Sequence, residues 1–200
     1  MRFRLGLTGS IGMGKSQTAA FFAEAGCPVW DADAAVHRLY APGGAAVAPM
    51  AELFPQAVVD GSVARQALRQ VIATDPTALP RIEALVHPLV RADRESFARA
   101  HPDAIGVFDI PLLFETGAEA EMDAVACVTI PPEVQRARVL ARGTMSAADL
   151  DRILARQMPN EDKCARADFV IVTDTLDHAR EQVQKVLSDI ERQMNARDRS

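Results

Sequence analysis

Two stretches of the chain, Ala104–Asp109 and Ala124–Ile130, are apolar at nearly every position. Runs of that length without a polar face predict parallel strands covered on both sides. Shorter strands are predicted at Arg2–Leu7, Pro28–Trp30 and Phe169–Val172. Between them the apolar period becomes helical. Lys15–Ala25 carries Ala19, Phe22 and Ala23 at helical spacing and stops at Gly26. A second helix runs from Asp33 to about Tyr40 and stops at Pro42-Gly43-Gly44. Pro132–Arg142, Ser146–Gln157 and Leu176–Arg192 follow, with Ser146–Asp149 as a capping-box-like start and Asp174 or Thr175 as the last N-cap. Strand–helix alternation of this kind predicts an α/β fold with a five-stranded parallel sheet and ligands beyond the strands' carboxyl ends.

The alternation is interrupted. No strand is expected in the sixty or so residues after Pro42-Gly43-Gly44, where Ser62–Ile72, Pro76–Val86 and Leu89–Ala100 read as helices. Pro88 is expected to break the helix after His87. The stretch from about 60 to 102 therefore reads as a helical lobe inserted into a single domain. The polar tail 195–200 is expected to fray.

Composition narrows the class of partner. The net charge is −5, which argues against nucleic acid, because binding to it draws on a positive surface. A small anionic ligand stays open, since a local patch can be basic on an acidic protein. Nothing resembles a membrane span or a secretory signal. Cys27, Cys127 and Cys164 are odd in number and in no metal-ligand spacing, as expected of reduced thiols in a cytoplasmic protein. A monomer is the default expectation. Of 22 basic residues only Lys15, Lys163 and Lys185 are lysines, so each lysine is informative.

One motif carries chemistry outright. Gly9-Ser10-Ile11-Gly12-Met13-Gly14-Lys15-Ser16 fits G-x-x-x-x-G-K-[ST] at every position, after a strand and before a helix. Its glycines let backbone N–H groups turn toward phosphate oxygens, and the helix adds its positive N-terminus. Lys15 would reach the β- and γ-phosphates and the Ser16 hydroxyl would join a Mg²⁺ shell. Gly9, Ile11, Gly12, Met13, Gly14, Lys15, Ser16 and Gln17 are the expected ATP contacts. This makes the fold of the P-loop NTPase type.

Other candidates surround the motif. Asp31 and Asp33 follow the second strand, where a kinase needs a carboxylate to take the acceptor hydroxyl's proton; one of the two can instead cap the next helix. Asp31 can serve as that cap, which leaves Asp33 to face the cleft. Asp109 closes an apolar strand, the place of a carboxylate that holds Mg²⁺, though a structural role fits the position nearly as well; Glu115 lies in the same loop. Arg136, Arg138, Arg142, Arg152 and Arg156 fall on two helices joined by Gly143-Thr144-Met145. They suit a lid over 136–157 that closes on ATP, with Arg142 foremost, and equally a solvated helix face. His87 at a helix break reads first as structural.

The order Leu7-Thr8-Gly9 with the loop, Asp31-Ala32-Asp33, His87-Pro88, Asp109-Ile110-Pro111-Leu112-Leu113-Phe114-Glu115, Arg156-Gln157, Lys163 and Ala167-Asp168 resembles the dephospho-coenzyme A kinase family over nearly the whole chain. The resemblance implies transfer of the ATP γ-phosphate to the ribose 3′-hydroxyl of dephospho-coenzyme A, the last step of coenzyme A synthesis. It implies Asp33 as base, with Lys15 and Arg142 in the catalytic set. Thr8, Asp33 and His87 would lie on the acceptor, and the hairpin Arg136–Arg156 would be the lid. Ser10 and Met13 depart from the small residues common in the loop, and Thr173-Asp174-Thr175 replaces an Asn-containing turn. The nearest alternative is a P-loop kinase for a nucleoside monophosphate, shikimate or a sugar acid. A GTPase switch needs Asn-Lys-x-Asp, and neither Asn160 nor Asn195 is followed by Lys.

Overall fold

Among the described residues seven strands follow one another: β1 (Phe3–Thr8), β2 (Val29–Asp31), β3 (Val58–Val59), β4 (Ser62–Val63), β5 (Ile105–Asp109), β6 (Ala124–Thr129) and β7 (Phe169–Val172). Nine helices accompany them in the computed structural model, which describes residues 1–197. They are α1 (Lys15–Glu24), α2 (Ala32–Tyr40), α3 (Val47–Leu53), α4 (Arg65–Thr74), α5 (Ala78–Ala100), α6 (Pro132–Ala141), α7 (Ala147–Leu154), α8 (Asn160–Arg166) and α9 (Leu176–Arg197). The chain forms two compact units, Met1–Val29 with the chain from His101 onward, and Trp30–Ala100. The second begins upstream of the lobe expected at 60–102.

The main sheet has five strands in the order β2-β5-β1-β6-β7. β1 lies at its centre, parallel to β5 and β6, and β6 is parallel to β7. Register pairs Leu7 with Asp109 on one side and with Ala126 on the other. β5 thus ends opposite Leu7 while β6 runs on to Thr129, two residues past the partner of Thr8, and the turn after β1 leaves from the middle of the sheet. Leu5, Leu7, Val107, Ala126, Val128 and Ile171 are fully buried, as a sheet covered on both faces requires. Phe21 and Phe22 of α1 and Val183 and Ile190 of α9 close the same core. α9 starts at Thr175, whose Oγ1 accepts the His178 N–H at 3.2 Å. It runs past the expected end at Arg192 to Arg197, so 195–197 are helical, and 198–200 lie outside the described residues.

In the second unit the sequence reading is corrected twice. Helix α5 passes through Pro88 without a break. A proline inside a helix costs about 3 kcal/mol, but here the apolar stripe continues across it. Ala78, Ile82 and Val86 before it and Val90 after it share one cluster with Met50 and Leu68. Pro88 and Ala84, whose carbonyl loses its helical donor, are both exposed, so water can take the bond. The second correction is the hairpin β3–β4, which pairs Val58 with Val63 and Val59 with Ser62. Asp60 (φ 48) and Gly61 (φ 73) form its two-residue turn, and Asp-Gly is the dipeptide such a turn selects. The α5 residue Asp93 is tied to the start of this unit by Trp30 Nε1 at 2.7 Å and Arg38 at 2.6 Å.

Candidate active site

The Gly9–Ser16 turn joins β1 to α1, and its glycines fit only because they lack side chains. Gly12 has φ 79 and Gly14 φ 89. A Cβ on Gly12 would stand 2.3 Å from Val139 Cγ2, and one on Gly14 3.0 Å from Thr173 Oγ1. The turn is thus seated against α6 and against the turn after β7. No side chain caps α1 at Gly14. Among the described residues the first-turn amides of Lys15, Ser16 and Gln17 donate to no acceptor in the chain. An uncapped helix start with free amides and an adjacent lysine is a donor set for an anion, and it fits a phosphate chain.

Three side chains from distant segments hold this turn. Gln135 Nε2 donates to the Ile11 carbonyl at 2.7 Å, and Thr173 Oγ1 donates to the Met13 carbonyl at 2.8 Å. The Ser10 N–H donates to Asn160 Oδ1 at 3.0 Å, while Asn160 Nδ2 reaches the Val128 carbonyl and Thr129 Oγ1. The Met13 amide closes the turn on the Ser10 carbonyl at 3.2 Å, and its side chain belongs to the core. None of the three anchors was legible as a site residue. The one signal was a glutamine at a core-facing position of a helix, since Gln135 is 5% exposed.

Lys15 and Asp109 meet in an ion pair at the end of β5. Asp109 is buried and Lys15 half-buried, while Ser16 and Gln17 are exposed at the helix start. The two residues expected on phosphate and on Mg²⁺ therefore stand side by side. Among the described residues no group of three His, Cys, Asp or Glu side chains could hold a metal alone. Mg²⁺ in kinases takes one or two protein oxygens and completes its shell with water and phosphate. Asp109 with the Ser16 hydroxyl suits that habit.

Beside the turn opens a cavity of about 250 Å³, lined among others by Gly14, Thr18, Phe21, Arg138, Arg142 and Thr173. Arg138 reaches it from α6, donating to the carbonyls of Thr173 at 2.9 Å and Asp174 at 3.2 Å. Arg142, the C-cap of α6, is exposed at its rim. Two other arginines of the expected lid turn elsewhere. Arg136 pairs with Asp151 at 2.6 Å, and Arg152 pairs with Asp149 on its own helix. Ser146 and Asp149 form the capping box of α7.

Helix α8, absent from the sequence reading, brings Lys163 under the loop after β5. Its side chain is fully buried, with Nζ 2.8 Å from Glu115 Oε1 and donating to the Pro111 carbonyl at 3.0 Å. Burial opposes the Glu115 charge, but Lys163 and the Met158 N–H outweigh it and hold the carboxyl below its usual range. Thr8, expected on the acceptor, has a fully buried side chain that donates to the Pro111 carbonyl at 3.1 Å. Glu115 likewise holds the loop, accepting the Met158 N–H at 2.9 Å.

In the second unit Asp31 is the N-cap of α2, accepting the Ala34 N–H at 2.8 Å. Asp33 is left exposed in the first turn, and His87 is exposed on α5.

A five-stranded parallel sheet with this loop between its central strand and the first helix defines a P-loop kinase fold. The dephospho-CoA kinase family model matches residues 3–178, and the chain belongs to that family. The dephospho-CoA kinase of Ruegeria pomeroyi is 68% identical over 190 residues, covering 95% of this chain and 96% of that protein. A solved structure from Thermus thermophilus is 35% identical with a TM-score of 0.82, over 94% of this chain and 96% of that one. The dephospho-CoA kinase of Campylobacter jejuni shares the fold at 22% identity and a TM-score of 0.69, over 94% and 96% of the two chains.

Proposed function

We infer that the protein transfers the γ-phosphate of ATP to the ribose 3′-hydroxyl of dephospho-coenzyme A, giving coenzyme A and ADP, the last step of coenzyme A synthesis. The observation that carries this is the uncapped, amide-rich start of α1 beside an arginine-lined cavity, in a chain of this family. The β- and γ-phosphates lie along Gly9–Gln17, held by backbone N–H groups and Lys15. The base occupies the cavity between Phe21 and Arg138, with Arg142 at the rim. Its volume and its mixture of apolar wall and fixed donors suit a purine.

Asp33 takes the proton of the 3′-hydroxyl as its oxygen bonds the γ-phosphorus and the bond to the β,γ-bridging oxygen breaks. Asp31 is committed to capping α2, which leaves Asp33 the carboxylate with no structural duty there. Ser16 and Asp109 would hold Mg²⁺, whose charge offsets that of the phosphates. Lys15 shares this neutralisation. Arg142, with residues 136–157 as a lid, shields the reacting phosphate from water. His87 and the helices of 60–102 bind the acceptor. Action on a soluble metabolite fits a cytoplasmic monomer, and among the described residues no helix is long and apolar enough to cross a membrane.

An assay of ADP release across dephospho-coenzyme A, nucleoside monophosphates, shikimate and gluconate tests the acceptor. Release with dephospho-coenzyme A alone is expected; release only with another acceptor overturns the assignment. Asp33→Asn is expected to keep ATP affinity and lose about 10²-fold or more in kcat. Near-native turnover would move the base to Asp31.

A further inference from the structure

We propose that Gln135 and Thr173 are positioning residues that aim the amides of Gly12 and Gly14 at the nucleotide phosphates, so that α6 and the turn after β7 set the shape of the phosphate loop. This rests on the reading above that Gly9–Ser16 holds phosphate. The argument begins with the peptide unit. In a trans peptide the carbonyl of one residue and the N–H of the next lie in one plane and point in opposite directions, and no peptide here is cis. The Ile11 carbonyl shares its plane with the Gly12 N–H, and the Met13 carbonyl with the Gly14 N–H. Gln135 holds the first carbonyl at 2.7 Å and Thr173 the second at 2.8 Å. Each bond draws a carbonyl outward and turns the following amide to the opposite side, into the hollow of the turn.

Glycines alone would not do this. Gly12 and Gly14 occupy left-handed backbone where their peptide planes rotate cheaply, so an unrestrained turn would spend much of its time with carbonyls facing the phosphate. Both anchors are buried, Gln135 at 5% and Thr173 at 8% exposed, which removes water as a competing partner. They are themselves fixed. Gln135, Arg138, Val139 and Arg142 recur at helical spacing on one face of α6. Val139 packs where a Gly12 side chain would be, and Arg138 pins the carbonyls of Thr173 and Asp174. Asn160 completes the sorting by taking the Ser10 N–H, an amide that is then not offered to the ligand.

The test separates aiming from mere stability. Equilibrium affinities for ADP and for adenosine are measured by calorimetry on the full-length protein and on Gln135→Leu, Thr173→Val, Thr173→Ser and Lys15→Ala, with a thermal midpoint for each. Thr173→Val and Gln135→Leu are each expected to weaken ADP about tenfold, the scale of one buried neutral hydrogen bond. For Gln135→Leu, adenosine affinity is expected to stay within about twofold, because the cavity for the base is lined by Thr173 but not by Gln135. Thr173→Ser restores ADP binding, since the hydroxyl returns without the methyl group. ADP affinity within about twofold of wild type in both variants, with Lys15→Ala still strongly weakened, overturns the proposal while leaving the phosphate loop in place. Equal losses for ADP and adenosine in Gln135→Leu also overturn it, since they mark a general loosening. If Lys15→Ala binds ADP as wild type does, the phosphate-loop reading itself falls. Should Gln135→Leu not fold, the difference in ADP affinity between Thr173→Val and Thr173→Ser decides alone.

Discussion

Helices α6 and α7 are neighbours in the chain and both carry arginine, yet their arginines do different work. On α6, Arg138 ends on backbone carbonyls of the turn after β7 and Arg142 stands at the cavity rim. On α7, Arg152 folds back onto Asp149 in solvent, and Asp151 takes the exposed Arg136. Lys163 of α8 goes further inward, with no exposure at all. A cation's worth is thus set by what it touches and how dry the contact is. In water an ion pair is nearly balanced by hydration, whereas a buried cation without its partner is not.

That contrast can be broken first at its strongest point. Lys163→Met removes the buried ammonium from Glu115 and the Pro111 carbonyl. It is expected to cost roughly 3 kcal/mol or more in urea unfolding. A loss below about 1 kcal/mol would place Lys163 with the surface arginines. Next, Arg138→Met is expected to weaken ATP about tenfold or more, because charge-assisted bonds to carbonyls are among the stronger ones. Arg138→Lys should recover little of it, lacking the fork that spans two carbonyls. Full recovery by lysine would reduce the role to charge alone.

Acid sharpens the comparison more gently. Glu115 has a folded pKa below its unfolded value of about 4.3. The unfolded chain therefore binds the proton more readily, and the stability from this carboxylate is complete above that value. It is lost as pH falls through the lower, folded value. The stability gap between wild type and Glu115→Gln is expected to narrow from pH 6 to about pH 3; a constant gap would mean the ion pair contributes nothing. Smallest of all, Arg152→Ala should move unfolding by under about 0.5 kcal/mol, as exposed helix pairs do. A larger shift would show the α7 pair to be more than surface charge.

The parts legible in the sequence share one trait: the partners lie within a few residues of one another. The loop motif, the Asp31 cap three residues from Ala34, and the capping box of α7 are all local, and the structure has each in place. The apolar strands were legible for a related reason, since burial on both faces leaves no polar position to blur the pattern. Helix α5 was misread at Pro88 because a local breaker was weighed without the cluster of Ile82, Val86 and Val90 that spans it. The Asp60-Gly61 turn was overlooked because strands of two residues carry no period to notice. The bond from Thr8 to the Pro111 carbonyl crosses 103 residues, beyond the reach of any local pattern.

By itself, the sequence determined that this chain carries a phosphate-loop motif and builds a parallel sheet around that turn, since both follow from contiguous residues and short-range sterics. Only the tertiary structure decided which polar side chains serve that turn. The Gln135 bond to Ile11 spans 124 residues and the Thr173 bond to Met13 spans 160. It also brought Cys127 and Cys164 to an Sγ–Sγ separation of 3.6 Å, although nothing in their spacing joins them. Such pairings exist once β6, β7, α6 and α8 have packed, because hydrogen bonds act over a few ångströms of space and are blind to distance along the chain.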